Sequence, residues 1–224
     1  MHTFKQTKHR FKDAFNTIIT ESDSDLIDEA ALPAYAHKNI LIDFLFWKRI
    51  QLAYQYAQKN STPKNILDFG CGSGVLSHLL AQEGHSVTAC DIEFSPLKLV
   101  QDKIEFPSNI TFIEGDIISG TLKHQQFDII YALDVLEHID NLDDYIHLFS
   151  DLLSPEGVII VSGPTENIFY KIGRQFAGNK FTGDYHVSNI SHIKTAFQKF
   201  LNVSTLKTLY PPVKLFELFI AQKH

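Results

Sequence analysis

Residues Asn65-Ile-Leu-Asp-Phe-Gly-Cys-Gly-Ser-Gly74, followed by Val75-Leu-Ser-His-Leu-Leu80, decide how the chain is read. Asn65 to Phe69 is a short apolar run suited to a buried strand, and Ser73 to Glu83 repeats its apolar positions at helical spacing. Between them Gly70, Gly72 and Gly74 stand at every second position. A tight turn from strand to helix needs residues that tolerate positive φ, and a missing Cβ lets a ligand approach the backbone. An ordinary strand-to-helix turn rarely needs three glycines in five residues, so the spacing points to a ligand held at the turn.

The same spacing separates ligands. The dinucleotide fingerprint Gly-x-Gly-x-x-Gly places its third glycine one residue later, where this chain has Val75, and this disfavours a nicotinamide oxidoreductase. The phosphate loop ending in Gly-Lys-Ser/Thr is absent.

Composition sets the outer bounds. A chain of 224 residues is long enough for a substantial core, and 44% hydrophobic with 21% charged residues is ordinary for a globular protein. A net charge of −6 argues against a large nucleic-acid footprint. Cys71 and Cys90 show neither metal-ligand nor disulfide-framework spacing, so a reduced, structural role is expected. Lys5, Lys8, Arg10 and Lys12 have no apolar stretch behind them, so no signal peptide is expected. The longest apolar run, Ile40 to Trp47, is broken by Asp43 and falls far short of the ~20 residues a membrane span needs. A soluble, cytoplasmic protein without stable membrane insertion is expected, with peripheral membrane contact left open.

Taken in order, residues 1 to about 30 are polar and mixed and read as a loosely ordered or peripheral arm. From Lys38 to Lys59 helical periodicity predicts one long helix or two short ones, carrying Phe44, Phe46, Trp47, Tyr54 and Tyr56. It either packs on the sheet or covers a substrate pocket as a lid. His85 to Asp91 reads as a second strand ending in an acid, placed where a carboxylate accepts hydrogen bonds from both hydroxyls of a ribose. Ser95-Pro96 looks like the cap and first turn of a helix over Leu97 to Ile104. Asn109 to Glu114 is a third strand, and Gly115-Asp116-Ile117 follows. Phe127 to Leu133 reads as a central parallel strand, followed by Asp134-Val-Leu-Glu-His-Ile139. Leu142 to Leu153 is a helix, Ser154 to Gly157 a turn, and Val158 to Ser162 a fifth strand. Gly163 to Tyr185 is an aromatic and basic excursion. A helix over His192 to Phe200 and a hairpin of Leu201 to Tyr210 with Val213 to Ala221, joined by Pro211-Pro212, complete the chain.

Asp68-x-Gly70-x-Gly72-x-Gly74 resembles the first motif of class I S-adenosylmethionine-dependent methyltransferases, and the resemblance extends over about residues 64 to 222. It implies an α/β, Rossmann-like seven-stranded sheet in the order 3-2-1-4-5-7-6, its last strand antiparallel, with helices on both faces and an N-terminal helical extension. On that plan residues 1–60 are an arm and aromatic-rich helical lid, 61–224 the methyltransferase domain, and 163–187 a substrate-side insertion. The cofactor would be S-adenosyl-L-methionine, and the implied binding residues are Asp68, Gly70, Cys71, Gly72, Gly74, Asp91, Ile92, Asp116, Ile117 and Leu133. In the family an acid at the place of Asp116 accepts from the adenine amino group and the next apolar residue lies against the ring.

Segments similar to Val135-Leu-Glu-His138 occur in ubiquinone- and menaquinone-type small-molecule methyltransferases. His138 and His186 are the candidate general bases, beside Tyr35, His37 and Tyr185. Asp134, Glu137 and His138 are an alternative set for a divalent cation, but Glu137 and His138 are adjacent and would point to different sides, so no metal is expected. The Asp/Asn-Pro-Pro-Tyr/Phe motif of amino-methylating nucleic-acid enzymes is missing after the fourth strand. The paired-glutamate loop of protein arginine methyltransferases is missing too. The resemblance therefore implies methyl transfer to oxygen, nitrogen or carbon of a small acceptor, aromatic or lipid-like, without nucleic acid as partner. The alternative is a non-catalytic domain of the same fold that binds cofactor or a protein partner.

Overall fold

The computed structural model describes residues 3–21, 32–36, 40–59, 62, 64–165, 189–209 and 214–224. Among them seven strands form one sheet: β1 (Asn65–Phe69), β2 (Ser86–Asp91), β3 (Ile110–Glu114), β4 (Phe127–Leu133), β5 (Leu153–Pro164), β6 (Asn202–Leu209) and β7 (Phe216–Gln222). Their order is β3-β2-β1-β4-β5-β7-β6, as the resemblance implies. β2 runs parallel to β1 and to β3, β5 runs parallel to β4, and β7 is antiparallel to both β5 and β6. Ile129 to Ala132 of β4 and Val158 to Val161 of β5 are buried without alternation, the pattern of parallel strands covered on both faces. The chain divides into two compact units, Met1–Asp116 and Ile117–His224.

In the first unit α1 (Phe4–Glu21) buries Thr7, Phe11, Ala14, Phe15 and Ile18, a stripe at intervals of three and four. This corrects the reading of residues 4–21 as a loosely ordered arm; residues 22–31 lie outside the described residues. The polar composition hides a narrow seam, and a helix needs only that seam to be apolar. α2 (Leu32–Tyr35) is one turn, and α3 (Ile40–Gln58) is a single helix. Of its five aromatics Trp47 and Tyr54 are core, whereas Phe44 is exposed. Trp47 Nε1 donates to the Tyr35 carbonyl at 3.0 Å, and Phe4 meets Trp47 edge-on and stacks on Tyr54.

Lys8 and Lys12 of α1 close on the two oxygens of Asp43 at 2.6 and 2.5 Å. Phe4 beside Tyr54 and Lys12 beside Asp43 make α1 antiparallel to α3. Thr7 bonded to Gln82, and Phe11 against His78, make α1 antiparallel to α4 (Val75–Gln82) as well. α3 and α4 therefore run the same way, and the Ile40 end of α3 shares the end of the unit at which the glycine turn lies. α5 (Ser95–Gln101) starts at the Ser95-Pro96 pair, with Phe94 as its N-cap.

In the second unit α6 (Leu142–Leu152) buries Leu142, Ile146, Phe149 and Leu152. The turn expected at Ser154 to Gly157 is absorbed into β5. Phe127 pairs with Leu153 and Ile129 with Val158, so the four residues between bulge from the ladder. α7 (Ile190–Gln198) starts at an Asn189 cap that accepts the His192 N–H at 3.0 Å, and Phe197 packs on Phe219 of β7 at 5.3 Å between ring centroids. Pro211-Pro212 and most of the excursion, residues 166–188, lie outside the described residues. Among the described residues no helix is long and apolar enough to cross a membrane.

Phe11 is fully buried against Phe15, His78 and Phe106. Phe11→Ala is expected to destabilise the protein by about 3–5 kcal/mol, read as a lower urea midpoint at unchanged slope.

Candidate functional site

The turn after β1 is wound from three left-handed glycines: Gly70 at φ 71°, Gly72 at 52° and Gly74 at 73°. Parallel pairing sets Phe69 beside Cys90, and just beyond that pair the N–H groups of Gly70 and Cys71 both donate to the Cys90 carbonyl, at 2.9 and 3.0 Å. Gly74 N–H closes back on the Cys71 carbonyl at 2.9 Å, and Gly74 is also the N-cap of α4. The last two glycines have different surroundings. A Cβ on Gly72 would meet nothing within 4 Å, so the turn presents an open face there. A Cβ on Gly74 would meet Phe106 Cε1 at 2.8 Å and Leu97 Cδ1 at 2.9 Å, so this glycine is needed for packing as well as for φ.

Asp91 ends β2 beside this turn. Its Oδ2 accepts the Gly72 N–H at 2.7 Å and its Oδ1 accepts the Ile92 N–H at 2.8 Å. Burial pushes its carboxyl above the ordinary value, and the donated N–H groups of Gly72, Ile92 and Glu93 act against that rise. Each carboxylate oxygen keeps a lone pair beyond these bonds, enough to accept from a diol. Ile92 follows with 80% of its surface exposed, an apolar side chain standing free next to a carboxylate. Open space at Gly72, an acceptor pair at Asp91 and an uncovered Ile92 together fit a nucleoside with its ribose on the acid.

Asp68 is almost wholly buried in β1, and its Oδ2 accepts the Ser77 hydroxyl of α4 at 2.5 Å. Burial raises its carboxyl to about 6; the hydrogen bonds from Ser77 oppose the rise and the charge of Asp91 adds to it. The Cys71 side chain is committed inward, packed with Ala89, Phe94 and Leu97. Burial pushes the thiols of Cys71 and Cys90 up, so both are inert free thiols.

At the end of β3 Glu114 accepts the Phe94 N–H at 2.8 Å and pairs with Lys98. Gly115, at φ 114°, donates to the Asp91 carbonyl at 2.8 Å, and Asp116 beyond it is exposed. Ile117 and Ile118 enter a 3-10 turn (Ile117–Ser119). Its tight winding turns Ile117 into the core at 1% exposure and leaves Ile118 42% exposed.

In the second unit Leu133 is half-buried at the end of β4. Asp134 adopts φ 54°, rare for a residue with a side chain. Two bonds to Ser162 hold it there: Asp134 N–H to the Ser162 carbonyl at 3.0 Å, and Ser162 Oγ to Asp134 Oδ1 at 3.1 Å. In the following 3-10 turn (Leu136–His138) Glu137 is buried and His138 exposed, so the two do point apart. Among the described residues no group of three or more His, Cys, Asp or Glu is gathered to hold a metal ion. His186 lies outside the described residues, as do His37 and Tyr185.

Sequence reading missed Ser77 and Ser162. The uncapped glycine at the head of α4 was a usable signal for the first, because a helix without its own cap takes one from elsewhere. For the second there was none, since it depends on a positive φ in a neighbouring strand.

Comparison with known proteins gives the family. A model described as "Methyltransferase domain" matches residues 43–208, well over half of the chain. Over 106 residues the chain is 30% identical to the ubiquinone biosynthesis O-methyltransferase of Salmonella paratyphi A, covering 46% of this chain. The chain spans 44% of the length of that curated relative. Among solved structures it is similar to the magnesium protoporphyrin IX methyltransferase of Synechocystis with bound SAH, at TM-score 0.63 and 19% identity over 93% of this chain and 100% of that one. It is also similar to the N-methyltransferase NodS of Bradyrhizobium japonicum in complex with S-adenosyl-L-homocysteine, at TM-score 0.61 and 16% identity over 94% and 98% of the two chains.

The glycines make a graded prediction. Gly72→Ala should cost about 1–2 kcal/mol, for a left-handed backbone alone. Gly74→Ala should cost about 2–5 kcal/mol, because the clash with Phe106 and Leu97 is added. Chemical denaturation of the two variants measures the difference.

Proposed function

The chain belongs to the methyltransferase domain family, of the class I, S-adenosylmethionine-dependent kind, and we propose that it moves a methyl group from that cofactor to a small-molecule acceptor. The observation that carries this reading is the bond from Gly72 N–H to the Asp91 carboxylate, which sets an acceptor pair beside an open glycine turn. Asp91 would take the ribose hydroxyls, Ile92 an adenine face, and Asp116 the adenine amino group. The turn from Gly70 to Gly74 would receive the remainder of the cofactor.

S-adenosylmethionine, when bound, supplies a methyl group on a positively charged sulfur. The residues of the chain then have to align an acceptor atom with that carbon and keep water away, since transfer of this kind depends mainly on alignment. An oxygen or nitrogen acceptor also loses a proton, and His138, exposed in the turn after β4, is the candidate to take it, with His186 as the second. Of residues 1–60, the aromatic-rich helix α3 would act as a lid. Ile40 and Phe44 support this, being 84% and 45% exposed at the end of α3 that shares a side with the glycine turn. Such an apolar edge favours an aromatic or lipid-like acceptor, and a net charge of −6 favours a small molecule over nucleic acid.

Thermal unfolding with S-adenosylmethionine, S-adenosylhomocysteine, NAD and ATP tests the cofactor. A ligand at 100 times its dissociation constant stabilises by about 2.7 kcal/mol, a rise of roughly 5–10 °C for a chain of this size. The rise is expected with the two sulfur compounds only, and it should vanish in Asp91→Ala. A rise with NAD alone would overturn the reading. Cofactor binding without product across a panel of phenols, quinols and lipids would favour the non-catalytic alternative.

A further inference from the structure

Asp68 stands in the sequence as one of the expected cofactor residues, yet its side chain is buried against Ser77. It is 3% exposed, and Ser77, equally buried, donates its hydroxyl to Oδ2 at 2.5 Å while the Ser77 backbone N–H bears on the same carboxylate. Ser77 is the third residue of α4, whose N-cap Gly74 has no side chain to cap it. The first N–H groups of a helix have no partner within the helix, and a side-chain acceptor normally answers one of them from the N-cap position. Here the acceptor comes from β1, on the far side of the glycine turn. The link therefore closes Asp68 to Ser77 into a ring, and the three glycines lie within its span.

We propose that Asp68 and Ser77 form a strut that sets the shape of the glycine turn, and that they act as positioning residues for the cofactor without touching it. This rests on the cofactor reading above. The left-handed glycines could relax to many other conformations, so a fixed turn needs a constraint other than their own preference. Gly72 N–H reaches Asp91 only while the turn keeps this shape.

The charged and titratable groups facing Asp68 are the Asp91 carboxylate and the thiols of Cys71 and Cys90. Its carboxyl is raised from 3.8 to about 6, so its contribution to fold stability is full below the lower value and is lost as pH rises through the higher one. The strut works the other way, because an ionised carboxylate accepts hydrogen bonds more strongly than a neutral acid. Lowering pH through 6 should therefore weaken cofactor binding while this group's part in folding stability grows. A merely structural residue would move both in one direction.

The test joins amide hydrogen exchange over residues 70–77, without ligand, to calorimetric titration with S-adenosylhomocysteine. The wild type, Ser77→Ala, Asp68→Asn and the double variant are compared. Faster exchange in Ser77→Ala is expected. Each single variant should weaken binding about tenfold, with no further loss in the double variant. The wild type should also lose affinity as pH falls through 6, and Asp68→Asn should lose less, keeping only the part that belongs to Asp91. Unchanged exchange and affinity in Ser77→Ala, with binding lost in Asp68→Asn, would overturn the strut and make Asp68 a direct ligand. No binding by the wild type would sink the cofactor reading alone, and the exchange rates would still decide the strut.

Discussion

One hydrogen bond couples the two strands that matter most to the site: the Gly72 N–H given to the Asp91 carboxylate at 2.7 Å. It depends on β1 and β2 being parallel and in register, Phe69 beside Cys90, so that the turn leaving one strand meets the acid ending the other. The carboxyl edge of a parallel sheet is where such ends gather, which is why ligand sites occur there. The N–H groups of Gly70 and Cys71 share the Cys90 carbonyl, so the turn is tied to β2 at three points along its length.

Beneath the turn lies a packed layer of rings. Phe106 occupies the space against Gly74, meets Phe112 and His78 edge-on, and contacts Phe11 of α1. Cys71, Phe94 and Leu97 continue that layer. Edge-to-face rings at such separations each add to what their burial contributes, and close packing leaves them little freedom to yield. The N-terminal helix is thus part of the support of the glycine turn. A polar-looking segment placed first in the chain carries weight through Phe11 and Phe15.

Electrostatically the turn is flanked by two carboxyls, Asp68 and Asp91, whose ionised forms burial disfavours. They differ in how they are occupied. Asp91 takes backbone N–H groups on its two oxygens at the open side, whereas Asp68 is buried against Ser77. The same residue type stands once among backbone donors at an open edge and once in the core, and only the surroundings distinguish them.

Asn65 to Gly74 alone announced the strand, the glycine turn and the ligand, because positive φ and a bare backbone are local demands that glycine meets. The alternation of strands and helices, the acid at Asp91 and the sheet order carried by the resemblance were legible for a similar reason, each being written at short range or in motif spacing. The packed α1, the inward turn of Ile117 with Ile118 left outside, the left-handed Asp134 held by Ser162 and the strut from Asp68 to Ser77 were not. Each of these depends on which residue meets which across elements distant in sequence. Side-chain chemistry states what a residue is able to bond; only tertiary contact decides what it finds.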